Sequence, residues 1–195
     1  MRDVTGLILA GGRGQRMGGS DKGWSMYRGR PLILSVVERF APQVGPLLIS
    51  ANRNVTRYAE LATVVEDATD LNTESFAGPL IGVASGLRRA RTEWTAIVAC
   101  DTPYLPNDLV VRLYNATLGA GAVAACVRVA GQLEPLFAVV KTTTADGLAA
   151  AITAGERAMH RWLASINALA VDFEDAHAFA NINRLPQTDT DQRSV

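Results

Sequence analysis

Fifteen residues near the N-terminus, Leu9-Ala-Gly-Gly-Arg-Gly-Gln-Arg-Met-Gly-Gly-Ser-Asp-Lys-Gly23, hold six glycines and follow directly on an apolar run. Glycine permits close backbone approach, and successive free N–H groups in such a loop can point at one anion. Arg13, Arg16, Lys22, Arg28 and Arg30 stand against Asp21 alone, so residues 13–30 carry a local charge of +4 in a chain whose formal net charge is zero. Residues 60–87 hold Glu60, Glu66, Asp67, Asp70 and Glu74 with no Lys or Arg, a local charge of −5. A phosphate cradle opposite an acidic region able to hold a divalent metal is the arrangement this asymmetry implies. A second acidic loop, Cys100-Asp-Thr-Pro-Tyr-Leu-Pro106, puts a carboxylate one residue past a buried apolar run and stiffens its exit with prolines. A hard oxygen donor there suits Mg²⁺, which takes one or two carboxylates and leaves the rest of its shell to phosphates and water. Asp67 holds the comparable place after an earlier strand.

Two familiar phosphate motifs fail. The P-loop needs Gly before its Lys and Ser or Thr after it, whereas Lys22 lies between Asp21 and Gly23; the dinucleotide fingerprint has Met17 in place of its third glycine. The bland alternative is a surface turn with solvated arginines, and an isolated Asp most often caps a turn. The joint placement of a cationic glycine loop and Asp101 behind consecutive strands favours nucleotide phosphate binding. His160 and His177 lack Cys or His companions at metal-ligand spacing. Asp189-Thr-Asp191 sits in a polar tail, and Trp24 and Trp94 read as packing residues.

The elements that must position these residues alternate between strand and helix. Strands are expected at 4–10, 45–51, 63–66 and 94–100, with helices at 31–40, 79–91 and 107–118, the last capped by Asn107. Extended segments at 122–129 and 133–140 read as an antiparallel pair, followed by helices at 144–151 and 156–166 and a strand at 169–173. Near-continuous apolar strands separated by helices argue a mostly parallel, mixed α/β sheet covered on both faces, in which ligands sit at the carboxyl ends of strands. The 195 residues, 48% hydrophobic and 19% charged, are enough for one core and short of two ordinary domains. One domain over 1–186 with a polar tail at 187–195 is expected. Zero net charge gives no general attraction to nucleic acid. No segment reads as a membrane span or secretory leader. Cys100 and Cys126 lie inside apolar runs as small core residues, which fits a reducing, cytoplasmic compartment.

The motifs LAGG, RMGG, DKG, ANR at 51–53, ED at 66–67, GPL at 78–80, CDTPYLP, AGER at 154–157 and VDF followed by NIN at 181–183 together resemble the molybdenum cofactor guanylyltransferase family, collinearly from about residue 4 to 186. The related cytidylyl enzymes show LAAG where this chain has Leu9-Ala-Gly-Gly12, which points to guanine. The resemblance implies a three-layer αβα, Rossmann-like fold of the nucleotide-diphospho-sugar transferase type, and transfer of GMP from GTP to the terminal phosphate of molybdopterin with release of pyrophosphate. It implies GTP binding by Leu9, Ala10, Gly11, Gly12, Lys22, Asp67 and Asp101, catalytic roles for Arg16, Lys22 and Asp101, and Mg²⁺ on Asp101. The pterin side would fall near Arg157, Asn181 and Asn183, and cofactor-delivery and molybdoenzyme maturation proteins would be partners. Two positions depart from the pattern: Ser50 replaces an Asn that contributes to the nucleotide site of a relative, and Arg184-Leu185 follows the second Asn where Thr is usual. A cytidylyl or sugar-1-phosphate nucleotidyltransferase, and a GTP-binding module without catalysis, remain the competing readings.

Overall fold

A computed structural model describes residues 1–11, 21–71 and 78–182. Its strands are β1 (Val4–Leu9), β2 (Met26–Tyr27), β3 (Arg30–Pro31), β4 (Leu47–Ser50), β5 (Thr63–Val65), β6 (Trp94–Ala99), β7 (Ala124–Val129), β8 (Gln132–Lys141) and β9 (Leu169–Phe173). Its helices are α1 (Leu32–Phe40), α2 (Val55–Ala59), α3 (Leu80–Arg89), α4 (Leu109–Ala120), α5 (Ala145–Thr153) and α6 (Met159–Ser165). Seven strands form one sheet in the order β5-β4-β1-β6-β8-β7-β9, while β2 and β3 make a separate ribbon. In the large sheet β8 alone runs against its neighbours, pairing antiparallel with both β6 and β7. The expected antiparallel pair is therefore present inside an otherwise parallel sheet.

All six residues of β1 are buried because the sheet is covered on both sides. Val4 and Ile8 enter one core with Ile33, Val36 and Phe40 of α1 and Leu109, Val110 and Leu113 of α4. Leu7 and Leu9 enter the other with Leu80, Val83 and Leu87 of α3, Leu148 and Ile152 of α5, and Trp162 and Leu163 of α6. Alternation along an extended strand thus feeds two helical layers, giving the three-layer αβα architecture. Pro135, which cannot donate to a ladder, lies where the β7–β8 register jumps from Cys126↔Ala138 to Val127↔Glu134. A bulge is where an interior strand tolerates proline. Cys100 and Cys126 are buried free thiols, as expected.

Four sequence expectations need correction. Asn107 does not cap α4: Asp108 occupies the cap position without a side-chain bond, and the Val110 N–H is instead accepted by Gln43 Oε1 at 3.0 Å. The helix expected from 156 begins at Met159, because the Glu156 carboxylate stays outside it and accepts the N–H groups of Arg157 and Ala158. That carboxylate is held down at about 2, chiefly by the hydrogen bond from Arg161. α2 has no counterpart in the sequence reading. Nor has the β2–β3 ribbon, whose Arg28-Gly29 turn takes φ of 50° and 75°, the left-handed pair that tight hairpins favour. None of the described helices is long and apolar enough to cross a membrane.

Candidate functional site

The parallel register places the chemistry. Leu9 pairs with Ser50 and with Ala99, and Ser50 pairs with Val65. Gly11, Asn52, Asp67 and Asp101 each come two residues after these aligned positions, so one edge of the sheet presents them in the order Asp67, Asn52, Gly11, Asp101. Three strand spacings separate the two carboxylates, about 14 Å, so Asp67 and Asp101 cannot share one ion.

At one end, Asn52 and Asp67 pair reciprocally. The Asn52 amide donates to Asp67 Oδ2 at 2.7 Å and its carbonyl accepts the Asp67 N–H at 2.8 Å. A side chain at Gly11 would sit 3.5 Å from Asn52 Nδ2, so the end of the glycine loop lies directly against this pair. Burial pushes the Asp67 carboxyl above its ordinary value, and the Asn52 bond only partly offsets this. The folded protein therefore holds a proton more readily than the unfolded chain, and the stability owed to Asp67 falls as pH rises from the unfolded value through the raised one. At neutral pH the ionised group is a net cost to the fold. Asp67→Asn should accordingly melt at the same or a higher temperature than the parent at pH 7, with the gap closing at acid pH. A lower melting temperature at pH 7 would contradict this account.

At the other end, Asp101 is nearly buried, with 11% of its side chain exposed, and accepts from Lys22 Nζ at 3.2 Å. Its backbone carbonyl accepts the Ile182 N–H at 3.1 Å, which ties the C-terminal segment bearing Asn181 to the end of β6. Among the described residues Asn181 Oδ1 is buried without a hydrogen-bond partner, an expensive state for an amide unless something else supplies a donor. Tyr27, Tyr104 and His177 link the same three segments: the two hydroxyls lie 3.0 Å apart, and the Tyr104 and His177 rings are 4.5 Å apart. Among the described residues no group of three or more His, Cys, Asp or Glu gathers as a metal cage.

The site residues named from the sequence thus fall into several places. Lys22 meets Asp101, and Gly11 meets the Asn52–Asp67 pair beside Leu9 and Ala10. Arg157, in the connection between α5 and α6, folds back onto the end of α5, donating to the carbonyl of Ile152 in that helix and to that of Glu156 at 2.7 Å each, with its backbone carbonyl against Gly78. Gly12, Arg16 and Asn183 lie outside the described residues, as do Asp189 and Asp191. Ser50 is 1% exposed and packs beneath α3, where a side chain at Gly82 would come within 2.5 Å of its hydroxyl. The same hydroxyl lies 3.8 Å from where a side chain at Gly11 would begin.

The charge asymmetry is only partly a site. Arg30 pairs with Glu38 on α1, and Asp70 accepts two hydrogen bonds from Arg88 on α3, so each already has an ion-pair partner away from the strand-edge row. The sequence reading missed Asn54 and Tyr58, which hold the segment carrying Lys22: the Tyr58 hydroxyl donates to Asp21 Oδ1 at 2.6 Å and Asn54 Nδ2 to Asp21 Oδ2 at 2.9 Å. Only the spacing Asn54 to Tyr58, one helical turn, could have signalled them.

A model of the MobA-like NTP transferase domain matches residues 6–171. The chain is 47% identical over 190 residues to the molybdenum cofactor guanylyltransferase of Burkholderia ambifaria, covering 92% of this chain and 91% of that protein. It is 43% identical over 193 residues to the molybdenum cofactor guanylyltransferase of Cupriavidus pinatubonensis, covering 96% of each. Among solved structures, molybdopterin-guanine dinucleotide biosynthesis protein A from Archaeoglobus fulgidus superimposes with a TM-score of 0.67 at 25% identity, over 86% of this chain and 83% of that one. With a strand-edge row of Gly11, Asn52, Asp67 and Asp101 and a sequence matched almost end to end, the chain belongs to the MobA-like NTP transferase family and is a nucleotidyltransferase.

Proposed function

We propose that this enzyme transfers GMP from GTP to the terminal phosphate of molybdopterin, forming the guanine dinucleotide and releasing pyrophosphate, in the cytoplasm. The observation that carries this reading is the pairing of Lys22 with Asp101 at the carboxyl edge of the sheet, in a chain 47% identical to a guanylyltransferase. The nucleoside would lie along Leu9, Ala10, Gly11 and Gly12 toward Asp67, and the triphosphate would run toward Lys22 and Arg16. Asn181 and Asn183 would face the pterin, whose several polar edges match the unpartnered Asn181 Oδ1. Arg157, already engaged on helix carbonyls, would act there by fixing the α5–α6 corner against Gly78.

The donor set fits a divalent metal, Mg²⁺ by choice. A single near-buried carboxylate is what an ion that keeps water and phosphate oxygens requires of the protein. When bound at Asp101 the ion would neutralise charge on the triphosphate. The remaining work belongs to the chain. A phosphate monoester is already an anionic nucleophile, so no general base is needed, and catalysis rests on alignment and charge neutralisation. Lys22 would exchange Asp101 for phosphate oxygens as the triphosphate enters, and would hold the departing pyrophosphate. The exchange is inexpensive because the Lys22 side chain is 43% exposed and its present ion pair is correspondingly weak.

The experiment is product analysis with molybdopterin, Mg²⁺ and each nucleoside triphosphate in turn. GTP should support dinucleotide and pyrophosphate formation with kcat/KM at least ~100-fold above CTP or ATP, since mismatched buried polar groups at a base edge carry a large penalty. Equal use of the three, or GTP binding without pyrophosphate release, would overturn the assignment.

A further inference from the structure

The residue before Lys22 is the lone acid of the cationic segment, and its carboxylate is turned inward. Asp21 Oδ1 accepts from the Gly23 N–H at 3.1 Å and from the Tyr58 hydroxyl at 2.6 Å, and Oδ2 accepts from Asn54 Nδ2 at 2.9 Å. The Asp21 backbone carbonyl accepts from the Trp24 N–H and from Ser25 Oγ. Tyr58 is fully buried, and burial pushes its phenol far above the ordinary value, so it stays a donor throughout the working pH range. Gly23 has no room for a side chain, because a Cβ there would stand 2.4 Å from the Tyr58 oxygen. Trp24 leans on the Tyr58 ring with centroids 5.2 Å apart, and the Arg57 guanidinium lies 3.6 Å above the indole. Three consecutive residues, Asp21, Lys22 and Gly23, are thereby locked onto α2, and of the three side-chain positions Lys22 alone is left to reach Asp101.

We infer that Tyr58, with Asn54, is a positioning residue for the nucleotidyl transfer: by holding the Asp21 carboxylate it aims Lys22 at the phosphates. The physical content is preorganisation. A lysine side chain sits on a flexible stem, so a backbone already fixed in place removes that part of the entropy lost when it meets a phosphate. A misplacement of about 1 Å can cost on the order of 100-fold in rate. The inference rests on the reading of Lys22 as a phosphate ligand.

The test is a double-mutant cycle on the full chain with Mg²⁺, GTP and molybdopterin. Tyr58→Phe removes one hydroxyl and keeps the ring that packs in the core. It should lower kcat/KM for GTP by about tenfold or more while leaving KM for molybdopterin unchanged. In a Lys22→Ala background the same substitution should change kcat/KM for GTP less than twofold, because the residue it acts through is gone. A merely structural hydroxyl would depress both backgrounds alike, and that result, or no loss in either, would overturn the inference. Should Tyr58→Phe fold poorly, Asn54→Gly removes the second donor at a position whose φ of 50° glycine accepts, and the same non-additivity with Lys22→Ala is expected. Dinucleotide formation by the parent protein reports separately on the proposed function, and the ratio among variants reports on the clamp.

Discussion

Asp101→Asn should lower dinucleotide formation at saturating substrates by about 100-fold or more while leaving the fold intact. The position is two residues beyond the aligned end of β6, and its carboxylate is the protein oxygen donor proposed for the metal. An amide keeps the size and one acceptor but loses the charge, and removal of one preorganised electrostatic partner at a reacting centre typically costs 10²–10³ in kcat. The stability effect should be small. The Lys22 side chain is 43% exposed, so water can solvate its ammonium once the partner charge is gone. The backbone carbonyl that accepts from Ile182 is untouched. The measurement is kcat with a melting curve in parallel, repeated over a Mg²⁺ titration. A folded variant that turns over near the parental rate would remove Asp101 from the metal and leave it a loop carboxylate paired with Lys22.

The strand ends were readable in the sequence for a physical reason. A strand buried on both faces must be apolar throughout, and the residue types change abruptly where it emerges, so Ser50-Ala-Asn52, Glu66-Asp67 and Cys100-Asp101 marked the edge without any structure. The sheet's two-sided core follows from the same rule, and the antiparallel interruption from the short connection between the segments ending at 129 and beginning at 133. What escaped was everything fixed by contacts distant in sequence. α2 has five residues, too few to show a helical period, and begins at Asn54 in the left-handed region. Its Tyr58 acquires meaning only by meeting Asp21, 37 residues earlier. The N-terminus of α4 is satisfied by Gln43, 67 residues away, so local capping rules had to miss it. Charge counting over-reached for a similar reason, because a run of like charge says nothing about which members are already paired across the fold. Arg30 with Glu38 and Asp70 with Arg88 are ordinary surface pairs.

The division of the site into a nucleotide end and an acceptor end has its own consequence. Lys22→Ala should weaken Mg-GTP binding by about ten- to 100-fold, the loss of a charge-assisted contact of roughly 1.5–3 kcal/mol. Asn181→Ala should leave that affinity within about twofold, and should instead raise KM for molybdopterin. The argument for the second variant is its buried Oδ1, which has no hydrogen-bond partner among the described residues: its removal forfeits no hydrogen bond of that oxygen there, so the fold should be little weakened. The link from the Ile182 N–H to the Asp101 carbonyl is made by backbone atoms and survives the substitution, so the carboxylate proposed for the metal keeps its place. Calorimetric titration of each variant with Mg-GTP, followed by kinetics against molybdopterin at saturating GTP, separates the two ends. Loss of GTP affinity in Asn181→Ala as severe as in Lys22→Ala would put Asn181 on the nucleotide, and the pterin would then have to be sought elsewhere along the sheet edge.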